Sequence, residues 1–397
     1  MARRRRRATA AGVAKGIAIG AAGVAALAAV ATATVSVLVA RTVIIPPSRR
    51  VDDVRVLRVD LAGGTILLSS TPDSRLPGRY SFWFDDEEGH ARLGEILSQD
   101  ATSVTREILG VDFGDLAHTR GGRLSGWFYL SPRDLELPYS DVSVATPLGD
   151  APAWLVPAGP QAPSKRWMIG VHGRAVRRSE TLRAVPTFRA AGFDALLISY
   201  RNDGEAPRSA DFRYALGDRE WADVEAAMQY ALDHGAEELV LMGWSMGGAT
   251  VLQALTRSPL GDKVVGVVLE SPVVDWITTL DFQVTLRRLP PLIRFPVLEL
   301  FRHKWGGFFT GLAEPLDFDR LDFVRRAREL HTPVLLLHSD DDGFVPSTAS
   351  RALAAARPDI VTFVPFEVAR HTKLWNYDRE RWEGAIRDWL GTLNRAN

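Results

Sequence analysis

The chain has 397 residues, 46% hydrophobic and 24% charged, a composition typical of a globular protein and unlike that of a disordered or collagen-like chain. It contains no cysteine, which excludes a disulfide scaffold, a thiolate metal site and a cysteine nucleophile. Residues 1–50 carry nine basic residues and no acidic one, whereas the rest carries 39 basic and 48 acidic residues, so the acidic body argues against a nucleic-acid-binding surface.

The N-terminus combines a basic block with a long uncharged run. Five consecutive arginines occupy positions 3–7, and the 25 residues at 16–40 contain no charged side chain. Such a run is long enough to cross a bilayer as a helix and exceeds the apolar region typical of a signal peptide. We predict a basic cytoplasmic N-terminus (1–15), a transmembrane helix (16–40) and a body outside the cell membrane, because more positive charge precedes the helix than follows it.

Cleavage of this segment as a signal peptide, giving a secreted protein, is the alternative. The tripeptides at 29–31 and 31–33 resemble the small-residue sites at which signal peptides are cut. Gly16 and Gly20 form a G-x-x-x-G pair, which is weak evidence for helix dimerisation in a segment so rich in glycine and alanine.

A small β-rich domain is predicted over residues 46–139. Pro46 and Pro47 end the apolar segment, and residues 54–59 then mix apolar and basic side chains in a strand-like pattern. Residues 80–84 and 127–129 are aromatic-rich runs bounded by glycine and proline. We expect these aromatic side chains to form the core of this domain.

Residues 140–397 alternate short apolar strands with helices. Six strands are predicted, at 167–171, 195–200, 239–242, 264–269, 334–338 and 361–365. The helices between them include 221–234 and 249–256. Nearly continuous apolar strands separated by helices are typical of a mostly parallel sheet covered on both faces, so the fold class is α/β. An insert rich in Leu, Phe, Trp and Pro, at about 276–330, interrupts this alternation.

Residues 243–247 read Gly-Trp-Ser-Met-Gly, a G-x-S-x-G motif. The apolar strand 239–242 leads into the motif, and residues 248–252 begin a helix. This strand–turn–helix arrangement presents one hydroxyl at the strand end, and the turn is tight enough to need glycine on both sides. The helix N-terminus also directs backbone N–H groups toward the same point. Ser245 is therefore the candidate nucleophile.

Over about residues 140–395 the chain resembles the α/β-hydrolase superfamily, and within it the bacterial serine hydrolases related to the serine aminopeptidase and prolyl-oligopeptidase-like groups. His172-Gly173, the turn at Ser245, the acidic loop near Asp342 and His371 carry the resemblance, in the chain order of that superfamily. It implies an α/β-hydrolase domain over 140–397 with a helical cap in the insert and a Ser-Asp-His triad.

The base that takes the serine proton comes last in this fold, after the acid. His371 is the one histidine after the acidic loop, and it follows the strand 361–365. His338 lies at a strand end and is expected to be a packed structural residue. His172 precedes the serine and resembles the superfamily's His-Gly motif, not a base.

The acid orients the base and stabilises its charged form. Residues 338–346 resemble the superfamily's H-G-x-x-D-x-x-V-P loop, which implies Asp342 as the acid, with Ser339 in place of the usual glycine. Asp340 is the second candidate, because consecutive acidic residues point in different directions. Glu270, at the end of the strand 264–269, is the third, since some hydrolases of this fold use an acid there.

Two backbone N–H groups are expected to form the oxyanion hole. One belongs to Met246, the residue after the nucleophile, and the other, by resemblance, to Arg174, the residue after His-Gly. Arg177 and Arg178 either attract an anionic substrate group or are solvated loop charges. The apolar side chains of the insert either line an acyl pocket or pack the insert onto the sheet.

Together these features predict a membrane-anchored serine hydrolase, esterase-like or peptidase-like, acting on a small-molecule or peptide acyl substrate. It would cleave an ester, thioester or amide through an acyl-enzyme on Ser245. An acyltransferase with the same triad and a non-catalytic binding module are the alternatives. No cofactor and no metal are expected, because the sequence has no dinucleotide-binding glycine motif, no P-loop and no metal-spaced His/Asp cluster. One hypothesis is that the β-rich domain limits access to the site and selects small substrates or oligopeptides.

Overall fold

The computed structural model describes residues 26–47, 49–159 and 164–396. These residues form two compact units. The main unit comprises Ile45–Phe282 and the chain from Asp317 onward, and the helical unit comprises the residues up to Ile44 together with Gln283–Leu316.

The main unit begins with a closed barrel of six antiparallel strands in the order β1-β2-β5-β4-β3-β6. The strands are β1 (Val54–Asp60), β2 (Thr65–Ser69), β3 (Tyr80–Phe84), β4 (Gly89–Gln99), β5 (Ser103–Phe113) and β6 (Gly121–Ser125). Ile66 and Leu68 point inward from alternate positions of β2, and Phe82 and Phe84 do the same from β3, in one buried cluster. The small β-rich domain of the predicted fold class is thereby confirmed.

The rest of the main unit is built on an eight-stranded sheet in the order β14-β13-β12-β11-β9-β10-β8-β7. Its strands are β7 (Ser140–Thr146), β8 (Gly149–Val156), β9 (Arg166–Val171), β10 (Asp194–Ile198), β11 (Glu238–Trp244), β12 (Val264–Glu270), β13 (Val334–Ser339) and β14 (Val361–Phe366). Strands β9 to β14 are parallel to one another, and Leu241 in the centre lies opposite Ile169 and Val267. The predicted mostly parallel sheet is confirmed.

Two antiparallel strands, β7 and β8, extend this sheet at one edge and were not among the predicted strands. Strand β7 has a solvent-facing side, with Ser140, Asp141 and Ser143 exposed, so it lacks the continuous apolar run that marks the buried parallel strands. The pairing of β8 with β10 places it next to the parallel core all the same.

Ten α-helices are described. They are α1 (Ala26–Ile44), α2 (Val185–Ala190), α3 (Trp221–Asp233), α4 (Met246–Arg257), α5 (Trp276–Leu286), α6 (Arg294–Arg302), α7 (Gly307–Thr310), α8 (Thr348–Ala356), α9 (Leu374–Tyr377) and α10 (Arg379–Ala396). Helix α10 contributes Trp382, Ile386 and Trp389 to the hydrophobic core under the sheet, together with Val268 and Leu335 from the strands.

The helical unit contains α1, and α1 is long and apolar enough to cross a membrane, a property that signal sequences share. The predicted helix began at residue 16, and its first ten positions, like the basic segment 1–15, lie outside the described residues. Its predicted end at Ala40 is four residues short, because the apolar Val43 and Ile44 continue the helix until Pro46 approaches. The remainder of this unit, 283–316, is the middle of the predicted insert.

Candidate active site

Ser245 lies at the sharp turn between β11 and α4 with φ 51° and ψ −117°, a backbone conformation that non-glycine residues rarely adopt. The flanking glycines make the turn possible. A Cβ on Gly243 would lie 2.6 Å from the carbonyl oxygen of Gly247, and one on Gly247 would lie 2.3 Å from that of Val171. The turn therefore projects the Ser245 hydroxyl beyond the strand end.

Three predicted site residues from distant parts of the chain come together here. The Ser245 Oγ lies 3.0 Å from Nε2 of His371, and Nδ1 of His371 lies 2.7 Å from Oδ2 of Asp342. If Nδ1 carries the ring proton and its N–H donates a hydrogen bond to Asp342, Nε2 is free of a proton and accepts a hydrogen bond from the serine hydroxyl. The arrangement links the predicted nucleophile, base and acid by hydrogen bonds, in the geometry of a Ser-His-Asp triad.

Asp342 is buried and accepts hydrogen bonds on both carboxylate oxygens. Its Oδ1 accepts the backbone N–H groups of Phe344 and Val345 at 2.8 Å each, and its Oδ2 also lies 3.2 Å from Nε2 of His338. Burial alone would raise the pKa of Asp342, but the charge of His371 and the hydrogen bonds from His338 and His371 outweigh it and hold the pKa well below its ordinary value. Asp342 is therefore ionised at neutral pH.

The other two acid candidates have different partners. Asp340 is partly exposed and pairs with Arg351 at 2.6 Å. Glu270 is fully buried and accepts the indole N–H groups of Trp244 and Trp382 at 2.8 and 2.9 Å. Burial raises the pKa of Glu270. Neither carboxylate is a hydrogen-bond partner of the His371 ring, so the geometry favours Asp342.

The loop that carries His371 is held by side chains from the ends of two strands. Its neighbours Arg370 and Thr372 both have positive φ, at 61° and 50°. The N–H of Arg370 donates to Oδ1 of Asp341 at 2.8 Å, and the N–H of Thr372 donates to Oγ of Ser271 at 3.1 Å. These bonds maintain a strained loop and thereby fix the imidazole.

The two residues expected to supply the oxyanion donors both lie close to Ser245. Met246 is the first residue of α4, where backbone N–H groups have no acceptor within the helix. Arg174 lines the same cavity as Ser245, and a Cβ on the preceding Gly173 would lie only 3.3 Å from the Cβ of Ser245. The loop after β9 thus runs directly alongside the serine.

Two residues that support this loop were not predicted. Glu180 is buried, and its Oε2 accepts the N–H of Gly173 at 2.7 Å. The hydroxyl of Tyr200 donates to the carbonyl oxygen of Gly173 at 2.8 Å, and its ring stacks on His172 with 4.2 Å between centroids. Tyr200 is the last residue of the predicted strand 195–200, and the sequence assigned it no role at the site. Glu180 gave no signal, because it belongs to no motif.

Ser245 and His371 open into a cavity of about 440 Å³. The barrel and the segment before it contribute to the lining through Asp53, Asp73, Arg123, Leu124 and Ser125, among others. Basic side chains outnumber acidic ones in the lining. The basic residues are Arg50, Arg123, Arg174, Arg370 and Lys373, and the acidic ones are Asp53, Asp73 and Glu180.

The charges in this cavity form two groups. Asp73 pairs with Lys373 at 2.8 Å and with Arg370 at 3.3 Å, and although burial opposes it, these two cations lower the pKa of Asp73. On the other side, Arg50 and Arg123 share one carboxylate, Glu87, at 3.3 and 2.6 Å. Burial lowers the pKa of both arginines, although Glu87 opposes that shift. Two guanidinium groups on one carboxylate leave excess positive charge in the cavity that contains Ser245.

Comparison with protein-family models gives a match for two parts of the chain. Residues 168–384 match the alpha/beta hydrolase family, and residues 55–125 match a domain of unknown function, DUF8805. No curated protein sequence matches the chain.

Solved structures with a similar fold include the esterase Pf2001 of Pyrococcus furiosus, which is 17% identical and has a TM-score of 0.51 over 66% of this chain and 96% of that one. A puromycin-hydrolyzing peptidase of Mycobacterium tuberculosis is 19% identical, with a TM-score of 0.47 over 82% of this chain and 44% of that one. The family match spans more than half of the sequence and confirms the predicted resemblance. The chain therefore belongs to the alpha/beta hydrolase family.

Proposed function

We propose that this protein is a serine hydrolase that cleaves an ester, thioester or amide bond through an acyl-enzyme on Ser245. One observation carries the proposal. A continuous set of hydrogen bonds, 3.0 and 2.7 Å long, runs from Ser245 through His371 to the ionised Asp342, beside a cavity large enough for a small acyl substrate.

In the first half-reaction, Oγ of Ser245 attacks the acyl carbon while Nε2 of His371 takes the hydroxyl proton. Asp342 stabilises the imidazolium that forms. The backbone N–H groups of Met246 and Arg174 are the proposed donors to the oxyanion of the tetrahedral intermediate. Collapse of the intermediate breaks the bond to the leaving group, which departs as an alcohol, thiol or amine with the proton from His371.

In the second half-reaction, water replaces the leaving group. The water oxygen attacks the acyl carbon while His371 takes a proton from the water. A second tetrahedral intermediate forms, and its oxyanion accepts hydrogen bonds from the same two backbone N–H groups. Its collapse releases a carboxylic acid and returns the proton to Ser245. The enzyme is regenerated with no cofactor, and the net change is addition of one water across the acyl bond.

We further propose that α1 anchors this hydrolase in the cell membrane with its catalytic domain outside the cytoplasm. The apolar length of α1 supports this topology, and so does the charge asymmetry, because six basic residues, five of them at 3–7, precede the uncharged run 16–40 and three follow it within the first 50 positions. Resistance of the protein to alkaline extraction from membranes, with protease digestion of the catalytic domain in intact cells, is the expected result. Release of the full-length protein into the medium would contradict it.

The activity is tested by labelling the full-length protein with a fluorophosphonate, which reacts with activated serines. We expect the wild type to be labelled and Ser245→Ala and His371→Ala to lose both labelling and ester turnover, by about four orders of magnitude or more. Ser125→Ala is the matched control, because Ser125 lines the same cavity and should be dispensable. Turnover that survives in folded Ser245→Ala would overturn the proposal.

A further inference from the structure

The helical unit has a high density of exposed large hydrophobic side chains. Among the described residues nineteen such side chains are exposed, and nine of them belong to this unit. Three lie on α1, and six lie in residues 283–316: Leu286, Leu292, Phe295, Trp305, Phe308 and Phe309. Concentrated apolar exposure of this kind marks a surface that contacts another protein or a membrane.

Three of these side chains form an aromatic tip, which we define as Trp305, Phe308 and Phe309. The ring of Phe309 lies 6.3 Å from that of Trp305 and 5.3 Å from that of Phe308, yet Phe308 is 89% exposed. The tip stands on a tightly packed turn, since a Cβ on Gly306 would lie 2.0 Å from the carbonyl oxygen of Leu300. The rings are therefore held in contact with one another while facing outward.

The charge of this segment is opposite to that of the body. Residues 283–316 carry five basic and two acidic residues, although the chain after residue 50 has 39 basic and 48 acidic residues. The five basic residues are Arg287, Arg288, Arg294, Arg302 and Lys304. Lys and Arg side chains near an anionic lipid surface are attracted to it electrostatically, and aromatic side chains favour the headgroup region. Basic residues beside exposed aromatics therefore fit an anionic bilayer.

Helix α1, the proposed membrane anchor, belongs to the same compact unit as this segment. Its 19 residues span about 28 Å, close to the thickness of a bilayer core. Leu27 and Val30, in its first half, are 73% and 65% exposed, whereas Ser36 and Ala40, in its second half, are fully buried. Protein therefore covers one side of the second half, and α1 and residues 283–316 belong to one compact unit.

We propose that residues 283–316 form a second membrane contact, in which the aromatic tip enters the headgroup region of an anionic bilayer and the basic residues meet lipid phosphates. The inference rests on the proposed anchoring by α1 and goes beyond it. A single helix tethers a domain without fixing its orientation, whereas a helix and an interfacial element together hold it in one orientation at the surface.

The test uses the full-length protein in vesicles of phosphatidylcholine and phosphatidylglycerol. Because the chain has no cysteine, Phe308→Cys, Leu27→Cys and Leu97→Cys each introduce one site for an environment-sensitive fluorophore. Leu97 is exposed on the barrel strand β4 and serves as the matched control. Lipids that carry a nitroxide at a shallow or a deep position on the acyl chain quench only fluorophores in contact with them.

We expect shallow nitroxide lipids to quench the Phe308 label by about two-fold, nitroxide lipids of at least one depth to quench the Leu27 label, and neither kind to affect the Leu97 label. Quenching at Leu27 without quenching at Phe308 would overturn the second contact and leave the anchor standing. No quenching at Leu27 would overturn both. A blue-shifted Phe308 label that no lipid quenches would mean that a second copy or a protein partner covers the tip, which also overturns the proposal.

The contact between the basic residues and lipid phosphates is tested separately. Quenching of the Phe308 label is expected to fall in the double variant Arg287→Gln/Arg288→Gln. It is also expected to fall when the protein without these two substitutions is placed in vesicles of pure phosphatidylcholine. Arg58→Gln, on the exposed side of β1, is the control substitution and should leave the quenching unchanged. Equal quenching in all of these samples would overturn the contact between the basic residues and lipid phosphates.

Discussion

The carboxylate of Glu180 accepts a hydrogen bond from the backbone N–H of Gly173 at 2.7 Å, immediately beside the proposed nucleophile Ser245. The buried guanidinium of Arg183 lies 3.9 Å from the same carboxylate and donates to the carbonyl oxygen of Thr372 at 2.8 Å. Thr372 follows His371. The proposed oxyanion loop and the loop of the proposed base are therefore joined through one buried ion pair.

Glu180 is thus expected to be a positioning residue. Glu180→Ala removes the acceptor for Gly173 and should lower kcat about 100-fold with a smaller effect on KM, because a displaced oxyanion loop weakens transition-state binding. Glu180→Gln keeps an acceptor oxygen and should restore most of kcat. Steady-state kinetics on an aryl ester, with melting temperature as the folding control, measures both. Equal kcat in Glu180→Ala and the wild type would refute the role.

Three consecutive aspartates allow a matched comparison of the proposed acid. Asp342→Asn should lower kcat about 10⁴-fold, because an amide neither stabilises the imidazolium nor maintains the required tautomer of His371. Asp341→Asn keeps an oxygen for the N–H of Arg370 and should have a mild effect. Asp340→Asn loses only a partly exposed pair with Arg351 and is the control. A large loss of kcat in Asp340→Asn with an active Asp342→Asn would reverse the assignment.

The excess positive charge in the cavity leads to a prediction about selectivity. Arg123, on the barrel strand β6, lines the cavity and shares Glu87 with Arg50. Arg123→Gln should lower kcat/KM about five-fold for a p-nitrophenyl half-ester of succinic acid and leave p-nitrophenyl butyrate unchanged, because one charge at contact distance is worth about 1 kcal/mol in water. Arg58→Gln, on the outer side of the barrel, should change neither value. A parallel change with both esters would mean that the barrel does not discriminate by charge.

The parts of the fold that were predictable from sequence are those with a local signature. The six parallel strands read as apolar runs, and the turn at Ser245 is recognisable because Gly243 and Gly247 are sterically required. The closure of the barrel was not predictable, since it depends on pairings between distant strands such as β1 and β6. Strand β7 escaped detection because one of its faces is polar.

The site residues also divide into those that the sequence predicts and those that depend on the folded structure. Ser245 and His371 follow from motif and order, but the choice among Asp340, Asp341 and Asp342 depends on the path of the turn. That path is set by the N–H groups of Phe344 and Val345, which both bind Asp342. Such contacts exist only after folding and leave no spacing pattern.

Glu270 allows a prediction about stability and pH. It is fully buried, and burial raises its pKa above the ordinary value of 4.5. As the pH rises from 4.5 to the higher folded-state pKa, the folded protein retains a proton that the unfolded chain has lost. The contribution of Glu270 to stability is therefore fully present below pH 4.5 and declines as the pH rises through this window.

Glu270→Gln does not titrate, so the difference in unfolding free energy, wild type minus variant, should decrease with rising pH by up to about 1.4 kcal/mol per pH unit. Denaturant unfolding of the full-length protein in detergent, followed by tryptophan fluorescence, to which Trp244 and Trp382 beside Glu270 contribute, measures it. Glu107 in β5 is exposed, so the unfolding free energy of Glu107→Gln should depend on pH in the same way as that of the wild type. If the unfolding free energy of Glu270→Gln also follows the wild type at every pH, Glu270 has the same proton affinity in the folded and unfolded states. Its carboxylate is then solvated by the indole N–H groups as well as by water.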